Sequence, residues 1–165
     1  IVNSMKEDFH FLIKEHPNVI GVRDVRLYRA LSELDNVTFV PTGTVSNDVI
    51  EKADSVLVWT GSVGFEAALR GKPVLTICQP YYTFGNKFKK ISEDTPNTAI
   101  TEHIRNNSNK LPPKDKYDLI SNLLSGLRPG KYVNDSSWSI LNPEHLHQAL
   151  EIGEEIKKEF LKRKL

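Results

Sequence analysis

The sequence contains a single cysteine, Cys78, and no apolar run approaching the roughly 20 residues that a membrane-spanning helix requires. One cysteine excludes an internal disulfide and favours a reducing compartment, so we expect a cytoplasmic protein. Cys78 follows an apolar segment and is expected to be a small buried residue. The formal net charge is only +1, which provides no field to attract nucleic acid, so we expect no nucleic-acid partner.

The composition is that of one globular domain: 39% of the 165 residues are hydrophobic and 26% are charged. Basic residues cluster within 157–164 and alternate with glutamates at helical spacing, which predicts a solvated helix face. Peripheral binding to the inner face of an anionic membrane is the alternative. The first residue is Ile rather than Met, so we expect a processed or partial chain.

Apolar segments and turn signals alternate along the chain in a strand-helix-strand order with short connections, which predicts an α/β fold. The sheet should be parallel and Rossmann-like, with helices on both faces. The predicted strands are 9–13, 37–40, 55–59, 73–77 and, fifth, 97–100. The predicted helices are 24–34, 46–53, 62–70, 101–106, 114–127 and 143–164, and 79–94 is interpreted as a long loop.

Ligands of open parallel sheets bind beyond the carboxyl ends of the strands. Four predicted loops lie there, and their polar residues, Thr42 and Gly43 among them, should converge on one crevice. These loops are 15–18, 41–44, 60–63 and 79–84.

The segment Thr60-Gly61-Ser62 joins a strand to a helix and is the most informative of these loops. Backbone N–H groups at a helix start can bind a phosphate, and Gly61 allows close approach. Glu66 lies four residues after Ser62, so both occupy one helix face, from which Glu66 can accept hydrogen bonds from ribose. The alternative is a helix cap on Thr60 or Ser62, with Glu66 solvated.

His16 follows the first predicted strand, and Pro17 biases its backbone to an extended conformation. Its imidazole, assisted by Lys14, can contact a phosphate; a hydrogen-bonded surface histidine is the alternative. Aromatic residues after the fourth strand, Tyr81, Tyr82 and Phe84, can stack on a base, with ordinary packing as the alternative.

Other chemistry has weaker support in the sequence. His145 and His147 are two residues apart on a predicted helix and do not share a face, so we expect no metal site there. His10 lies within a strand segment and is expected to be structural. No Ser-His-Asp arrangement or Walker glycine loop is visible.

Two segments, 14–17 and 53–74, resemble the bacterial capsule polysaccharide synthesis family, which includes Kdo transferases of capsule assembly. The motifs are similar to those of sialyl- and polysialyltransferases that use CMP-sugars. The family's His-Pro motif falls on His16 and Pro17, its Ser/Thr-rich motif on 60–62, its helix glutamate on Glu66 and its Gly-Lys-Pro on 71–73. A hydroxyl pair is common in the Ser/Thr motif, whereas Gly61 replaces one member here.

The resemblance implies one half of a glycosyltransferase-B fold, which has two Rossmann-like domains. Residues 1–165 would form the C-terminal, nucleotide-sugar-binding domain, with 143–165 as a C-terminal helix. An acceptor-binding domain, where the general base commonly lies, and the first strand of this domain would precede Phe9. The isolated domain would then be inactive.

The resemblance also implies the ligands. The donor would be a CMP-sugar, with a UDP-sugar as the alternative; no cofactor or metal is expected, and the missing domain would hold the growing glycan acceptor. His16 would stabilise the leaving phosphate, and no catalytic base is assigned. The residues predicted to bind the nucleotide-sugar are Lys14, His16, Pro17, Thr42, Gly43, Thr60, Gly61, Ser62, Glu66, Tyr81 and Tyr82.

An inverting or retaining sugar transferase is the first hypothesis from the sequence. Three other functions stay open. A nucleotide-sugar 2-epimerase shares the fold but typically needs more carboxylates and arginines than this crevice offers. A glycerophosphate transferase of the teichoic-acid type and a non-catalytic nucleotide- or glycan-binding module are the remaining candidates.

Overall fold

The computed structural model describes residues 2–16, 19, 21–125 and 143–162. The chain forms two compact units, Ile1–Leu123 and Leu124–Leu165. After a short 3-10 helix at Asn3–Met5, the elements in chain order are β1 Phe11–Ile13, α1 Val25–Ser32, β2 Val37–Phe39, α2 Ser46–Lys52, β3 Val56–Val58, α3 Val63–Leu69, β4 Val74–Thr76, β5 Phe88–Lys90, α4 Asn97–Asn107, α5 Pro113–Ser125 and α6 Pro143–Lys162.

Every strand pair among the described residues is parallel. β1 lies beside β2, with Phe11 opposite Val37, and these two strands form one small sheet. In the second sheet β4 is central: Val74 lies opposite Val56 of β3 on one side and Phe88 of β5 on the other. The predicted α/β, Rossmann-like class is therefore confirmed, although the strands are shorter than predicted and are divided between two sheets.

Both faces of β4 are covered, as expected of a parallel sheet wound with helices. Its three residues are all buried, and successive side chains point to opposite faces. Val74 therefore packs into one core cluster and Leu75 into another. The first cluster comprises Ile50, Val58, Ala67, Ala68, Val74, Leu111 and Leu119. The second comprises Met5, Leu75, Ile91 and Ile100, and partly buried Phe11 of β1 and Leu57 of β3 pack against it.

Helix ends follow the predicted chemistry at two positions. Asp24 caps α1, because its carboxylate accepts a hydrogen bond of 2.9 Å from the Arg26 amide. α3 ends in a Schellman motif, in which the Lys72 amide donates to Ala67 O and the Gly71 amide to Ala68 O. Gly71 has φ +85°, a conformation that L side chains rarely adopt, so the prediction that Gly71 stops the helix is confirmed.

Two predictions about the second half of the sheet are wrong. Residues 97–100 are not a strand but the first turn of α4. Ile100 and Ile104, four residues apart, lie on one helix face and pack into the second cluster, which overrides the strand preference of Thr98 and Ile100. The segment 79–94, interpreted as a loop, contains β5, an edge strand in which Phe88 and Lys89 are half-buried and Lys90 is exposed.

The remaining elements agree with the prediction within the described residues. α5 and α6 begin at Pro113 and Pro143, and α6 carries the predicted solvated charges, with Lys157 Nζ 3.8 Å from Glu154 Oε1. Residues 126–142 and 163–165, including the predicted break at 128–130, lie outside the described residues. Cys78 is half-buried rather than buried. Among the described helices, none is long and apolar enough to cross a membrane.

Candidate functional site

The carboxyl ends of the strands bring the four predicted loops together in two pairs. The Val40 amide donates to Ile13 O at 2.8 Å, which places the end of β1 beside the end of β2. The Ile77 amide donates to Val58 O at 3.2 Å, which does the same for β3 and β4. Residues 14–16 therefore neighbour 41–44, and residues 59–62 neighbour the segment that carries Tyr81 and Tyr82.

The junction loop, residues 59–62 between β3 and α3, is exposed throughout, and Trp59 is 66% exposed. Ser62 takes the N-cap position with helical φ and ψ, and its hydroxyl makes no capping hydrogen bond. The cap alternative therefore does not describe Ser62. The Gly64 and Phe65 amides donate to Gly61 O and Ser62 O, so only amides before Gly64 can face a ligand.

The buried residue Tyr82 is hydrogen-bonded to the junction loop. Its hydroxyl donates a hydrogen bond to Gly61 O, and only 1% of the residue is exposed. Its ring centroid lies 5.9 Å from that of Phe65 and 5.8 Å from that of Phe88. Packing, the alternative to base stacking, is therefore the arrangement that the structure shows for Tyr82. Tyr81, by contrast, is 72% exposed beside it.

Gly64 makes the close approach of Tyr82 possible. A Cβ atom built on Gly64 would lie 2.7 Å from the Tyr82 hydroxyl oxygen and 3.0 Å from Val58 Cγ2. Any side chain at position 64 would therefore displace the hydroxyl that bonds to Gly61. The sequence showed only a glycine inside a helix, and that signal did not reveal its partner.

In the loop that follows β1 and contains His16, Glu15 makes several hydrogen bonds. Its carboxylate accepts hydrogen bonds from the His16 amide at 3.0 Å, Arg23 Nε at 2.9 Å and the Tyr28 hydroxyl at 2.7 Å. Burial raises the pKa of Glu15, but these hydrogen bonds and the Arg23 charge outweigh it, so the pKa lies below its usual value. Glu15 was not among the predicted site residues.

The other predicted residues differ in accessibility. His16 is exposed and Lys14 is half-buried, while Pro17 lies outside the described residues. Thr42 and Gly43 form an exposed turn, closed by a hydrogen bond from the Thr44 amide to Pro41 O at 3.0 Å. On α3, Glu66 is half-buried one turn after Ser62.

The lysine of the Gly-Lys-Pro motif has a structural role. Lys72 Nζ donates to Glu51 O at 3.0 Å and to Ala53 O at 2.6 Å, where α2 ends. A cation at a helix C-terminus both satisfies terminal carbonyls and complements the helix dipole. Pro73 is fully buried, so this motif joins two helices to the start of β4.

A second lysine, Lys87, is buried at the amino end of the sheet, opposite the predicted loops. It is 4% exposed, and its ammonium donates to the carbonyls of Gly71, Asn107 and Asn109. Burial lowers its pKa, and Asp115 opposes that shift. Sequence reasoning missed Lys87, because a lysine within a charged segment predicts an exposed side chain.

His103 of α4 packs against the same strand start. Its Nε2 atom donates to Lys87 O at 3.2 Å. Burial lowers the pKa of His103, the charges of Lys89 and Lys87 lower it further, and the carbonyls of Lys87 and Val74 partly oppose this. These effects favour the neutral form of the imidazole.

In the part of the chain that the structure describes, no three metal-binding side chains form a cluster. His147 lies 3.4 Å from Glu151 on an exposed face of α6, and nothing is described of the His145 side chain. His10 is near Thr38 of β2, with 2.8 Å between Nε2 and Oγ1, which agrees with the structural role predicted for it.

Comparison with known proteins identifies the family. Residues 2–110 match the family described as capsule polysaccharide biosynthesis protein. This match includes β1 to β5, α1 to α4 and both pairs of loops described above. No curated protein and no solved structure matches the sequence. Because the match spans more than half of the chain, this protein belongs to the capsule polysaccharide biosynthesis family.

Proposed function

We propose that this chain binds the donor nucleotide-sugar of a glycosyltransferase that builds capsule or another surface polysaccharide. The observation that carries the proposal is the family match together with the exposed polar loops at the carboxyl ends of parallel strands. Crevices at that edge are where open α/β sheets bind ligands.

The junction loop would bind the phosphate of the nucleotide. Its Ser62 hydroxyl is exposed and makes no cap bond, and the amides before Gly64 point to no backbone acceptor within the first turn of α3. In the transfer reaction the bond between the anomeric carbon and the phosphate oxygen breaks, so negative charge grows on the departing phosphate. Hydrogen-bond donors placed at that oxygen stabilise the transition state.

Other predicted site residues would bind the rest of the donor. Lys14 and His16 add nitrogen donors at the end of β1, and Glu15 holds the His16 backbone in place. Glu66 would accept hydrogen bonds from ribose hydroxyls. Of the two adjacent tyrosines, the exposed Tyr81 rather than the buried Tyr82 is available to stack on a base.

A CMP-sugar is the proposed donor, because the motifs resemble those of transferases that use CMP-sugars. A UDP-sugar is the alternative, because Gly61 replaces one hydroxyl of the family's usual pair. The acceptor glycan and the general base would belong to another domain of the enzyme. We therefore propose that this domain alone binds the donor and transfers no sugar.

Titration calorimetry of the chain with CMP, UDP, GDP and CDP, followed by the corresponding nucleotide-sugars, tests the proposal. We expect one nucleotide to bind at micromolar to millimolar concentrations, as substrates of most enzymes do. His16→Ala should weaken that binding, and Lys52→Ala, a change of another exposed residue on α2, should not. Binding of a glycan without any nucleotide would support the non-catalytic module instead.

A further inference from the structure

We infer that Arg23 is an anion-binding residue of the candidate site and that its two terminal nitrogens bind an oxyanion of the donor. This inference rests on the proposed function, because it names a further contact of the same donor. The observations that carry it are the hydrogen bonding of the Arg23 guanidinium and its place in the connection from β1 to α1.

The carboxylate of Glu15 holds the Arg23 side chain in one orientation. Arg23 Nε donates to Glu15 Oε2 at 2.9 Å, and the same oxygen accepts from the Tyr28 hydroxyl at 2.7 Å. The other oxygen, Oε1, accepts from the His16 amide at 3.0 Å. Because three donors from the loop and from α1 fix this carboxylate, the guanidinium bound to it is pre-organised. A pre-organised arginine loses less conformational freedom when it binds a ligand.

The outer edge of the Arg23 guanidinium remains available. Within the described residues, the hydrogen bonds of this side chain involve Nε alone, and 50% of the side chain is exposed. The edge formed by the two terminal nitrogens can bind carboxylate or phosphate through two parallel hydrogen bonds. The remaining donors of Arg23 therefore suit a ligand group that presents two anionic oxygens.

The position of Arg23 in the fold agrees with this role. Its partner Glu15 is two positions after Ile13, the last residue of β1, so the guanidinium lies near the carboxyl end of that strand. Open α/β sheets bind ligands at this edge. The amide of His16 and Nε of Arg23 bind the two oxygens of one carboxylate, so these residues are close neighbours. One anionic ligand can therefore contact both.

A second exposed arginine, Arg26, differs in the terminal nitrogens. Its Nε donates to Asp24 Oδ2 at 2.9 Å, and its Nη2 donates to the same oxygen. Since Nη2 is already paired within the chain, the terminal edge of Arg26 is not open in the way that the edge of Arg23 is. Comparison of the two arginines therefore separates the effect of an open edge from that of positive charge alone.

A phosphate of the nucleotide and a carboxylate of the sugar offer this edge the same two-oxygen chemistry. Three ligands distinguish the two sources: cytidine carries neither group, CMP carries the phosphate, and CMP-N-acetylneuraminate carries the phosphate and a carboxylate. If the wild type binds UDP instead of CMP, then uridine, UDP and UDP-glucuronate form the equivalent series.

Arg23→Gln tests the inference by titration calorimetry with this series. If the anion is phosphate, we expect CMP affinity to fall about tenfold or more while cytidine binds as before. If the anion is the sugar carboxylate, CMP affinity should stay unchanged and only CMP-N-acetylneuraminate should bind more weakly. Arg26→Gln is the matched control and should change none of the three affinities.

Arg23→Lys distinguishes binding from a structural role, because lysine can keep the ion pair with Glu15 but lacks the two-nitrogen edge. Exposed ion pairs contribute little to stability, so we expect a melting temperature close to that of the wild type, with an affinity loss in the same direction.

Two results would overturn the inference and leave the proposed function standing: wild-type affinity for all three ligands in both Arg23 variants, or an equal loss of affinity in Arg26→Gln. A wild type that binds no nucleotide and no nucleotide-sugar would contradict the proposed function and the inference together.

Discussion

The ammonium of Lys72 lies 2.6 Å from the carbonyl oxygen of Ala53, the residue that ends α2. It also donates to Glu51 O at 3.0 Å. Lys72→Met keeps the aliphatic chain and removes both hydrogen bonds. Hydrogen bonds of charged groups contribute about 1.5–3 kcal/mol in favourable settings, so we expect a loss of about 1–2 kcal/mol at this half-buried site, measured by urea unfolding.

Lys52→Met is the matched control, because Lys52 is an exposed lysine in the last turn of the same helix. It should change the free energy of unfolding by less than about 0.5 kcal/mol. Equal stability of the Lys72 variant and the wild type would show that the motif lysine is not structural.

Ser62→Ala should separate binding from stability. The Ser62 hydroxyl makes no cap bond, so we expect a melting temperature close to that of the wild type. If the hydroxyl contacts phosphate, nucleotide affinity should fall about tenfold or more, while the nucleoside binds as before. Titration calorimetry beside a melting curve measures both quantities.

Glu66→Gln should give the opposite selectivity. A residue that accepts from ribose hydroxyls contacts nucleoside and nucleotide alike, so both affinities should decrease together. A Ser62→Ala variant that melts lower but binds nucleotide normally would contradict the phosphate site. A Glu66→Gln variant with unchanged nucleoside affinity would contradict the ribose contact.

Gly71→Ala should be strongly destabilising. Gly71 has φ +85°, and an added Cβ would lie 3.0–3.1 Å from backbone atoms of Asn109, Lys110 and Leu111. The left-handed conformation costs a non-glycine residue about 1–2 kcal/mol, and the contacts add to this, so we expect a loss of at least about 2 kcal/mol.

The control for this substitution is Gly43→Ala. Gly43 has no atom within 4 Å of the Cβ position and lies in an exposed turn. It should change stability by about 0.5 kcal/mol or less, since an alanine there reduces the entropy of the unfolded chain. Similar urea midpoints for the two variants would show that the α3 ending tolerates a side chain.

His103 should make stability depend on pH below about 6.5, the usual histidine value. Burial lowers its pKa in the folded chain, so its stabilising contribution is complete above the unfolded pKa and is lost as pH falls through the folded pKa. Urea unfolding of the wild type and His103→Gln at several pH values measures the effect. The variant should lose less stability on acidification, and parallel profiles would exclude this contribution.

The sequence predicted the first four strands because each is a short apolar run bounded by turn residues, and buried parallel strands have that composition. It failed at β5, whose Phe-Lys-Lys sequence has no buried pattern of its own. β5 exists because Val74 and its neighbours in β4 offer a free strand edge. That partner is a property of the folded sheet and not of residues 88–90.

The candidate site likewise has features that the sequence could predict and features that depend on the folded chain. The place of the Thr60–Ser62 segment, in a turn between a buried strand and a helix, was predicted from the sequence. Which of the adjacent Tyr81 and Tyr82 is buried depends on Gly64, which lies elsewhere in the chain. The burial of Lys87 likewise depends on three carbonyls, from Gly71, Asn107 and Asn109, that only the folded chain brings together.

The connection from β4 to β5, residues 77–87, contains neither a helix nor a strand, although parallel strands are usually joined through a helix. Tyr82 attaches this connection at the carboxyl ends of the strands, and Lys87 attaches it at their amino ends. The few residues between these two attachments must therefore run the full length of the strands. An insertion or deletion there would release one attachment, whereas the exposed turn at Thr42 and Gly43 could change length without such a loss.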